Sequence, residues 1–552
     1  MEINSKIQII PLGGCGEVGM NMTLLNVYGQ YFLIDCGTTF PDQNQIGVKV
    51  IYPSVKYLEE NDIKIEAWLI THGHEDHIGG IAHFYKKFPA PIFTTAFTAK
   101  LIEYKMMDSG IDNYPLTIWN YFEPTLFSNI KVTPFPVNHS IADASGLLIE
   151  TSLFRIIHTG DFRIDEHPPE KITTIESLKR VCEGKNISLL MSDSTNSFAP
   201  NTDRSERDIF DGMTKYFENT KGALIVATFS SHIWRVNTVI ELCKKHNRKI
   251  FFFGKSLERN ISFSLKLNLT NIPEDLFQNF ENINAFPRNE ICILCTGTQG
   301  EAFSGLHRIA YNNIPSFKAT YEDTVIVSAR VIPGNERPID SVETQFLKIG
   351  TTFIHSKLDK EIHASGHGYS EDLKKCISTV KPKYFMPIHG SYKLLKRHLE
   401  LATETNVPIE NCILAENGDA VTLSEDGIEI KETVLNGRDY SLQGGIFPAN
   451  SRLYKDRVDL GLCGFVCAHF NLRKNTFDLL EIPYVTSVGV NIDATSYQQS
   501  LKKLFERILF DQATRANFGV EHFRNEIRIQ FRHQLEKIIG YKTVVLINFQ
   551  FL

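Results

Sequence analysis

Short apolar runs dominate the first two hundred residues. Residues 7–11, 22–27, 31–35 and 67–70 are apolar and rich in branched side chains, and they read as strands. The run Gly13-Gly14-Cys15-Gly16 breaks the first from the second. Their alternation with helix-like stretches predicts an α/β region of hairpins and crossovers. Around Asn196 to Ser205 the chain turns polar, with Pro200, Asn201, Thr202 and Asp203, which places a boundary there. A second alternation over 206–350 sets strand-like runs at 223–228, 250–253, 291–295 and 324–328 beside a helix-like run at 236–245. It predicts a compact parallel α/β unit. Residues 351–425 return to strand and helix signals. Residues 426–455 are polar and turn-rich (Asn436-Gly437, Gly444, Gly445, Pro448) and read as a linker. Residues 456–552 read as a small α/β unit. There Leu501, Leu504, Phe505, Ile508 and Leu509 recur at helical spacing, and 543–547 reads as a strand. Arg515, Arg524, Arg528, Arg532 and Lys537 form a basic series most simply read as a solvated helix face.

Composition narrows the class. A chain of 552 residues predicts two to four domains, and 42% apolar residues can build sizeable cores. A formal charge of −6 argues against a protein that coats nucleic acid, and leaves room for a local basic groove. The ten cysteines show no disulfide spacing and read as reduced thiols. With no signal-peptide pattern and no apolar run of about 18 residues, a cytoplasmic protein with no membrane partner is expected.

The chemistry begins at Thr71-His72-Gly73-His74-Glu75-Asp76-His77, directly after the apolar run Ala67-Trp68-Leu69-Ile70. A tight turn after a strand sends His72 and His74 to one side. Asp76 and His77 open the next element and face a neighbouring point about 3.5–4 Å away, the spacing of dinuclear sites. Imidazole with carboxylate suits zinc and tolerates manganese or iron. Two adjacent metals are a recurring device for phosphate-ester hydrolysis.

This run resembles the metallo-β-lactamase superfamily. The resemblance extends to His139 in Val137-Asn138-His139-Ser140, and to Asp161 after Thr159-Gly160 as the bridging carboxylate. It also covers Asp35, expected to orient a ligand from behind. No matching histidine follows Asp161 closely. The next motifs are Ile362-His363-Ala364-Ser365-Gly366-His367 and Pro387-Ile388-His389-Gly390, after an insertion of roughly two hundred residues. That insertion resembles the β-CASP module of nucleic-acid-processing members, and a last histidine, His389, favours RNA over DNA.

The match tightens to the ribonuclease J family. It rests on Pro11-Leu12-Gly13-Gly14 with Glu17, Ser192-Asp193-Ser194-Thr195-Asn196, Ala227-Thr228-Phe229-Ser230-Ser231, Thr296-Gly297-Thr298-Gln299-Gly300-Glu301 and Pro333-Gly334-Asn335-Glu336. The run His232-Ile233-Trp234-Arg235 departs from the family pattern, and the last hundred residues match only in size and order of elements.

The resemblance implies an αββα sandwich, with a core over 1–205 and 351–425. It places an inserted β-CASP domain over 206–350, a linker over 426–455 and a small C-terminal α/β domain over 456–552. It implies two Zn²⁺ per subunit, with Mn²⁺ or Mg²⁺ as substitutes, held by His72, His74, Asp76, His77, His139, Asp161 and His389. Asp76, Asp35 and His367 are the implied catalytic residues. His363, Ala364, Ser365, Gly366 and His367 would contact the scissile phosphate. Ser231, His232 and Ile233 would form a pocket for a 5′-terminal phosphate. Lys255, Arg259 and Arg308 are the nearest basic candidates for the groove.

The implied activity is RNA hydrolysis, 5′→3′ from the end and internally, by attack of a bridging hydroxide that leaves a 5′-monophosphate. The implied partners are 5′-monophosphorylated RNA and further copies of the chain, as a homodimer or homotetramer. The alternatives are a DNA nuclease or a thioesterase on the same core, and a non-catalytic RNA-binding or scaffold paralogue, against which the intact ligands at all seven positions argue.

Overall fold

The computed structural model describes residues 6–552 except 43, 201–204, 333, 435, 444, 475 and 514–518. Asn201, Thr202 and Asp203 of the expected boundary, together with Pro333, Gly444 and Arg515, lie outside the described residues. Contacts divide the chain into two units, Met1–Thr39 with Ile51–Arg438, and Phe40–Val50 with Asp439–Leu552.

The first unit is built on two large sheets. One has eight strands in the order Gly427–Thr433, Asp419–Ser424, Ile7–Gly13, Met22–Val27, Gln30–Ile34, Ile65–Leu69, Ile92–Thr94 and Leu116–Ile118. The other has six, Tyr384–Ile388, Leu189–Asp193, Arg155–His158, Ser145–Glu150, Lys131–Pro136 and Thr125–Leu126. Alternation along each strand explains the layering, because successive side chains point to opposite faces. Ile7, Ile9, Leu25, Phe32 and Leu69 join Leu147, Ile149, Leu189 and Met386 in one buried cluster shared by both sheets. Their neighbours Ile10, Leu24, Leu33 and Trp68 belong to a second cluster, with Phe97, Ile102 and Met106 of the helix Ala96–Asp108. Helices therefore cover the outer faces and sheet packs on sheet inside, an αββα sandwich.

The insertion leaves and re-enters this sandwich at one place. Leu189–Asp193 pairs in parallel with Tyr384–Ile388, and the register sets Asp193 opposite Ile388. Between them lies a five-stranded, wholly parallel sheet in the order Lys249–Phe253, Ile291–Cys295, Leu224–Ala227, Thr324–Val327 and Thr352–His355. Its central strands are buried on both faces, hence their continuous apolar runs. Ser205 caps the helix Glu206–Asn219 in a reciprocal box with Asp208, at 2.7 and 3.2 Å.

Two expected boundaries move. The inserted sheet runs past residue 350, because Thr352–His355 pairs with Thr324–Val327 as its edge strand. It is short and half-exposed, so its apolar signal is weak. The stretch expected as a linker over 426–455 carries strands. Gly427–Thr433 extends the eight-stranded sheet, and Arg438–Leu442 forms a hairpin with Gly445–Pro448. Most of Gly427–Thr433 is exposed, so its composition is polar despite its ladder.

In the second unit Phe465–Leu472 lies between Tyr484–Val488 and Val544–Phe551. The helix Gln498–Ala513 buries Leu501, Leu504, Phe505 and Ile508 against that sheet's cluster. The helix Val520–Ile539 adds Phe523, Ile527, Phe531 and Leu535 at four-residue spacing. Arg524, Arg528, Arg532 and Lys537 lie off that stripe on the same helix, and Arg524 pairs with Glu521 at 2.9 Å. All ten cysteines are free thiols. Among the described residues no helix is long and apolar enough to cross a membrane.

Candidate metal centre

Five chain segments converge at one end of the sandwich. The turn after Ile65–Leu69 carries His72 and His74, and His74 is the residue preceding the helix Glu75–Ile78, which carries Asp76 and His77. His139 follows Lys131–Pro136, fixed by its neighbour Asn138, whose main-chain N–H donates to Thr174 Oγ1 at 2.9 Å. Asp161 follows Arg155–His158, and His389 follows Tyr384–Ile388. The glycine run at 13–16 does more than break a strand. Cys15–Gly16 pairs with Gly390–Ser391, and Gly390 N–H donates to the Gly14 carbonyl at 3.0 Å, pinning the turn after His389.

Two groups of side chains result, each with all its ligand atoms within 4.8 Å of one another. The first is His72, His74, His139 and Asp161. His74 Nδ1 lies 3.2 Å from His72 Nε2 and 3.0 Å from His139 Nε2, and Asp161 Oδ2 lies 3.6 and 3.8 Å from those two Nε2 atoms. The second is Asp76, His77, Asp161 and His389. His77 Nε2 lies 3.2 Å from Asp161 Oδ2, and His389 Nε2 lies 3.4 Å from Asp76 Oδ2. Asp161 belongs to both groups.

These donors fit metal ions. Three ring nitrogens face one point, where shared protons can satisfy only some of the contacts. His389 Nε2 is buried and, among the described residues, has no hydrogen-bond partner, the Asp76 carboxylate standing 3.4 Å away. Burial, with neighbouring imidazoles, holds His72 and His139 well below the usual histidine range, and burial lowers His74 to about 4. They are therefore neutral, the ligating form. Burial opposes the charge on His389, but Asp161 outweighs it and lifts His389 to about 10. The carboxylates thus draw positive charge into the site.

Side chains behind the groups fix them. Asp35, itself at φ +60, accepts from Thr71 N–H and Thr71 Oγ1, both at 2.8 Å, and lies 2.7 Å from His77 Nδ1. His139 Nδ1 lies 2.6 Å from the Gly366 carbonyl, which ties the 363–367 loop to the first group. Gly366 has no room for a side chain, since a Cβ would stand 2.9 Å from His139 Cε1 and 2.6 Å from Ser140 Oγ.

Two parts of the site carry no local sequence signature. Asp193, to which the run Ser192-Asp193-Ser194-Thr195-Asn196 assigns no role, lies 2.7 Å from His367 Nδ1 and forms a third group with Asp161, His367 and His389. Burial disfavours a charged His367, but Asp193 and then Asp161 raise it above the usual range. The second is a buried charge network. Arg235, fully buried, donates to Glu206 at 3.1 and 3.2 Å, to the Ile362 carbonyl at 3.1 Å and to Ser328 Oγ. Arg163 pairs with Asp165 at 2.6 Å and donates to the Ser365 carbonyl at 3.3 Å. Both arginines thereby hold the main chain around the 363–367 loop.

The other expected contacts divide. Ser231 is half-buried. His232 is 2% exposed, and its Nδ1 accepts from Arg235 N–H to open the helix Ile233–Lys245. Ile233 is fully buried in an apolar cluster, so its side chain meets no ligand; only its main chain is available. His363 is half-buried beside Arg235 and His232, with Nδ1 unpartnered among the described residues, Ala364 is buried, and Ser365 accepts from Asn196 Nδ2 at 2.8 Å. Arg259 and Arg308 stack on Tyr104 and Phe253, at 4.1 and 4.8 Å from the ring centroids, and Lys255 opens the helix Lys255–Lys266.

Comparison with known proteins agrees with this fold. Residues 16–161 match the model of the metallo-β-lactamase superfamily, 221–346 that of the ribonuclease J β-CASP domain, and 357–413 that of a Zn-dependent metallo-hydrolase RNA specificity domain. Ribonuclease J of Helicobacter pylori strain J99 is 34% identical over 500 residues, covering 89% of this chain and 71% of that protein. The chain belongs to the ribonuclease J family. Other ribonuclease J relatives agree. Ribonuclease J 1 of Streptococcus pyogenes serotype M3 is 33% identical, covering 88% of this chain and 86% of its own. The ribonuclease J of a Synechocystis species is 32% identical, covering 97% and 84%. A solved structure of a protein of unknown function from Enterococcus faecalis V583 shares the fold, with a TM-score of 0.56 at 16% identity over 76% of this chain and all of that one.

Proposed function

We propose that this chain is a metal-dependent ribonuclease that cuts RNA from the 5′ end and internally, releasing 5′-monophosphates. The observation that carries the reading is Asp161, shared by two ligand groups and set beside the Asp193–His367 pair. His72, His74, His139 and Asp161 would hold one ion, and Asp76, His77, Asp161 and His389 the other. Zinc fits the imidazole-rich donor set best, with manganese or magnesium as substitutes. When bound, the ions supply Lewis acidity and bring the pKa of water near neutrality.

The side chains supply the rest. His363 and Ser365 bind phosphate oxygens. His367 offers Asp193 its Nδ1, so its Nε2 is free to deliver a proton to the departing 3′-oxygen. Ser231 and the main chain of 232–233 accept a 5′-terminal monophosphate. Residues 1–205 and about 357–433 form the hydrolytic core, 206–355 the inserted module and 456–552 the C-terminal domain. The protein works in the cytoplasm as a homodimer or homotetramer.

The test is incubation of the purified chain with 5′-monophosphorylated and 5′-triphosphorylated RNA, with and without chelator. Nucleotide release from the monophosphorylated RNA, abolished by chelation and restored by added metal, is expected; no metal-dependent cleavage of either RNA ends the reading. A second expectation concerns Ser231→Phe. A bulky side chain fills the 5′-phosphate pocket, so 5′-end-dependent decay falls at least about tenfold more than internal cleavage, on the order of one lost charged hydrogen bond. Equal losses in both, in a time course on end-labelled and circular RNA, remove the pocket from Ser231.

A further inference from the structure

The inserted sheet has a crevice of which the 5′-phosphate pocket at Ser231 and 232–233 uses one wall only. Leu224–Ala227 and Ile291–Cys295 are adjacent and parallel, yet the chain leaves them toward opposite faces. The helix Ile233–Lys245 packs through Val236 and Val239 on one face; the helix Gly305–Ala310 packs through Leu306 and Ile309 on the other. Such divergence at the carboxyl ends of parallel strands opens a ligand crevice.

Two exposed side chains stand on the loops at this end. Phe303 is 82% exposed and adopts a left-handed φ of +65, unfavourable for a bulky residue. Its loop is closed by Leu306 N–H donating to the Thr296 carbonyl at 2.8 Å and Ser304 N–H to the Glu301 carbonyl at 3.1 Å. Arg330, after the neighbouring strand Thr324–Val327, is exposed and has no carboxylate partner among the described residues. Gln299 clamps its main chain, donating to the Arg330 carbonyl at 3.0 Å and accepting from Ile332 N–H at 2.8 Å. The guanidinium donates to Asn196 Oδ1 at 3.2 Å, and the Asn196 amide donates to Ser365 Oγ at 2.8 Å and the His367 carbonyl at 3.0 Å. An unpaired cation therefore stands two hydrogen bonds from the loop beside the metal groups.

We propose that these loops grip single-stranded RNA beside the scissile phosphate, Arg330 holding a backbone phosphate and Phe303 stacking on a base. The proposal rests on the ribonuclease reading and names two contacts that reading lacks. A fixed cation and a presented aromatic face are the two elements of sequence-tolerant single-strand binding. The rigid main chain at Arg330 keeps the ordering cost of the contact low.

The test measures binding of a fluorescent single-stranded RNA to chelator-treated protein, so that the RNA stays intact, over a range of salt. Arg330→Gln should reduce the slope of log affinity against log salt by about 0.7, the value for one phosphate on a single strand, while Arg330→Lys keeps it. Phe303→Ala should weaken binding about five- to 150-fold, and Phe303→Trp should restore it. An abasic site moved along the RNA should bring wild type and Phe303→Ala to equal affinity at one position only. If the wild type binds and cleaves RNA but both variants keep its affinity, salt slope and abasic profile, the grip is wrong and the ribonuclease reading stands. If the wild type neither binds nor cleaves RNA, both fall.

Discussion

Replacing Asp161 with alanine should empty both metal groups at once. Its two oxygens lie 2.7 Å from His389 Nδ1 and 3.2 Å from His77 Nε2, and Oδ2 also faces His72 and His139. Loss of the ions removes several kcal/mol of transition-state stabilisation, on the order of a thousandfold in rate or more. Of the two proposed metal groups, His389→Ala removes a donor from the second only, so it should keep about half the bound metal while losing most turnover. Asp35→Asn acts from behind His77 and should cost about 10- to 100-fold. Metal content by atomic emission, read beside turnover of end-labelled RNA, checks the order of the three. If Asp161→Ala retains as much metal as His389→Ala, Asp161 is not the shared ligand.

That ordering separates what the sequence showed from what it hid. His72, His74, Asp76 and His77 lie within six positions on a strand-to-helix turn, so local spacing alone exposes them. His139, Asp161 and His389 are single residues at strand ends, and the family pattern was needed to select them. Asp193 illustrates the limit. Its partner His367 is 174 residues away, and the two meet because the strands on either side of the insertion pair in parallel. Nothing in the run Ser192-Asp193-Ser194 encodes that pairing. Ile233 errs the other way. It sits in a run that suggests a ligand pocket, but the helix that begins there turns its side chain into the core.

The buried arginines were less legible still, because an isolated Arg or Glu in a sequence reads as surface. Removing Arg235 should give the largest stability loss of any change outside the metal groups. Arg235→Met leaves the Glu206 carboxylate, 4% exposed, without its main partner, and breaking a buried pair from one side costs about 3–5 kcal/mol. Arg163, 3.5 Å from Glu206 but committed to Asp165 at 2.6 Å, offsets only part of this. Making both partners apolar, Arg235→Met with Glu206→Leu, should recover much of the loss, because no uncompensated charge then remains. Turnover should not recover with it. The guanidinium that donates to the Ile362 carbonyl and to Ser328 Oγ is gone in both variants, which leaves Ser328 Oγ, at 2.6 Å from that carbonyl and no longer held by Arg235, to fix the residue before His363. Thermal unfolding and RNA cleavage measured on the same three proteins separate the two effects. Restored stability with lost activity makes Arg235 a positioning residue for the 363–367 loop. If turnover returns with stability in the double variant, the network only holds the fold together, and the loop is set by Arg163 and Asn196, which contact it independently.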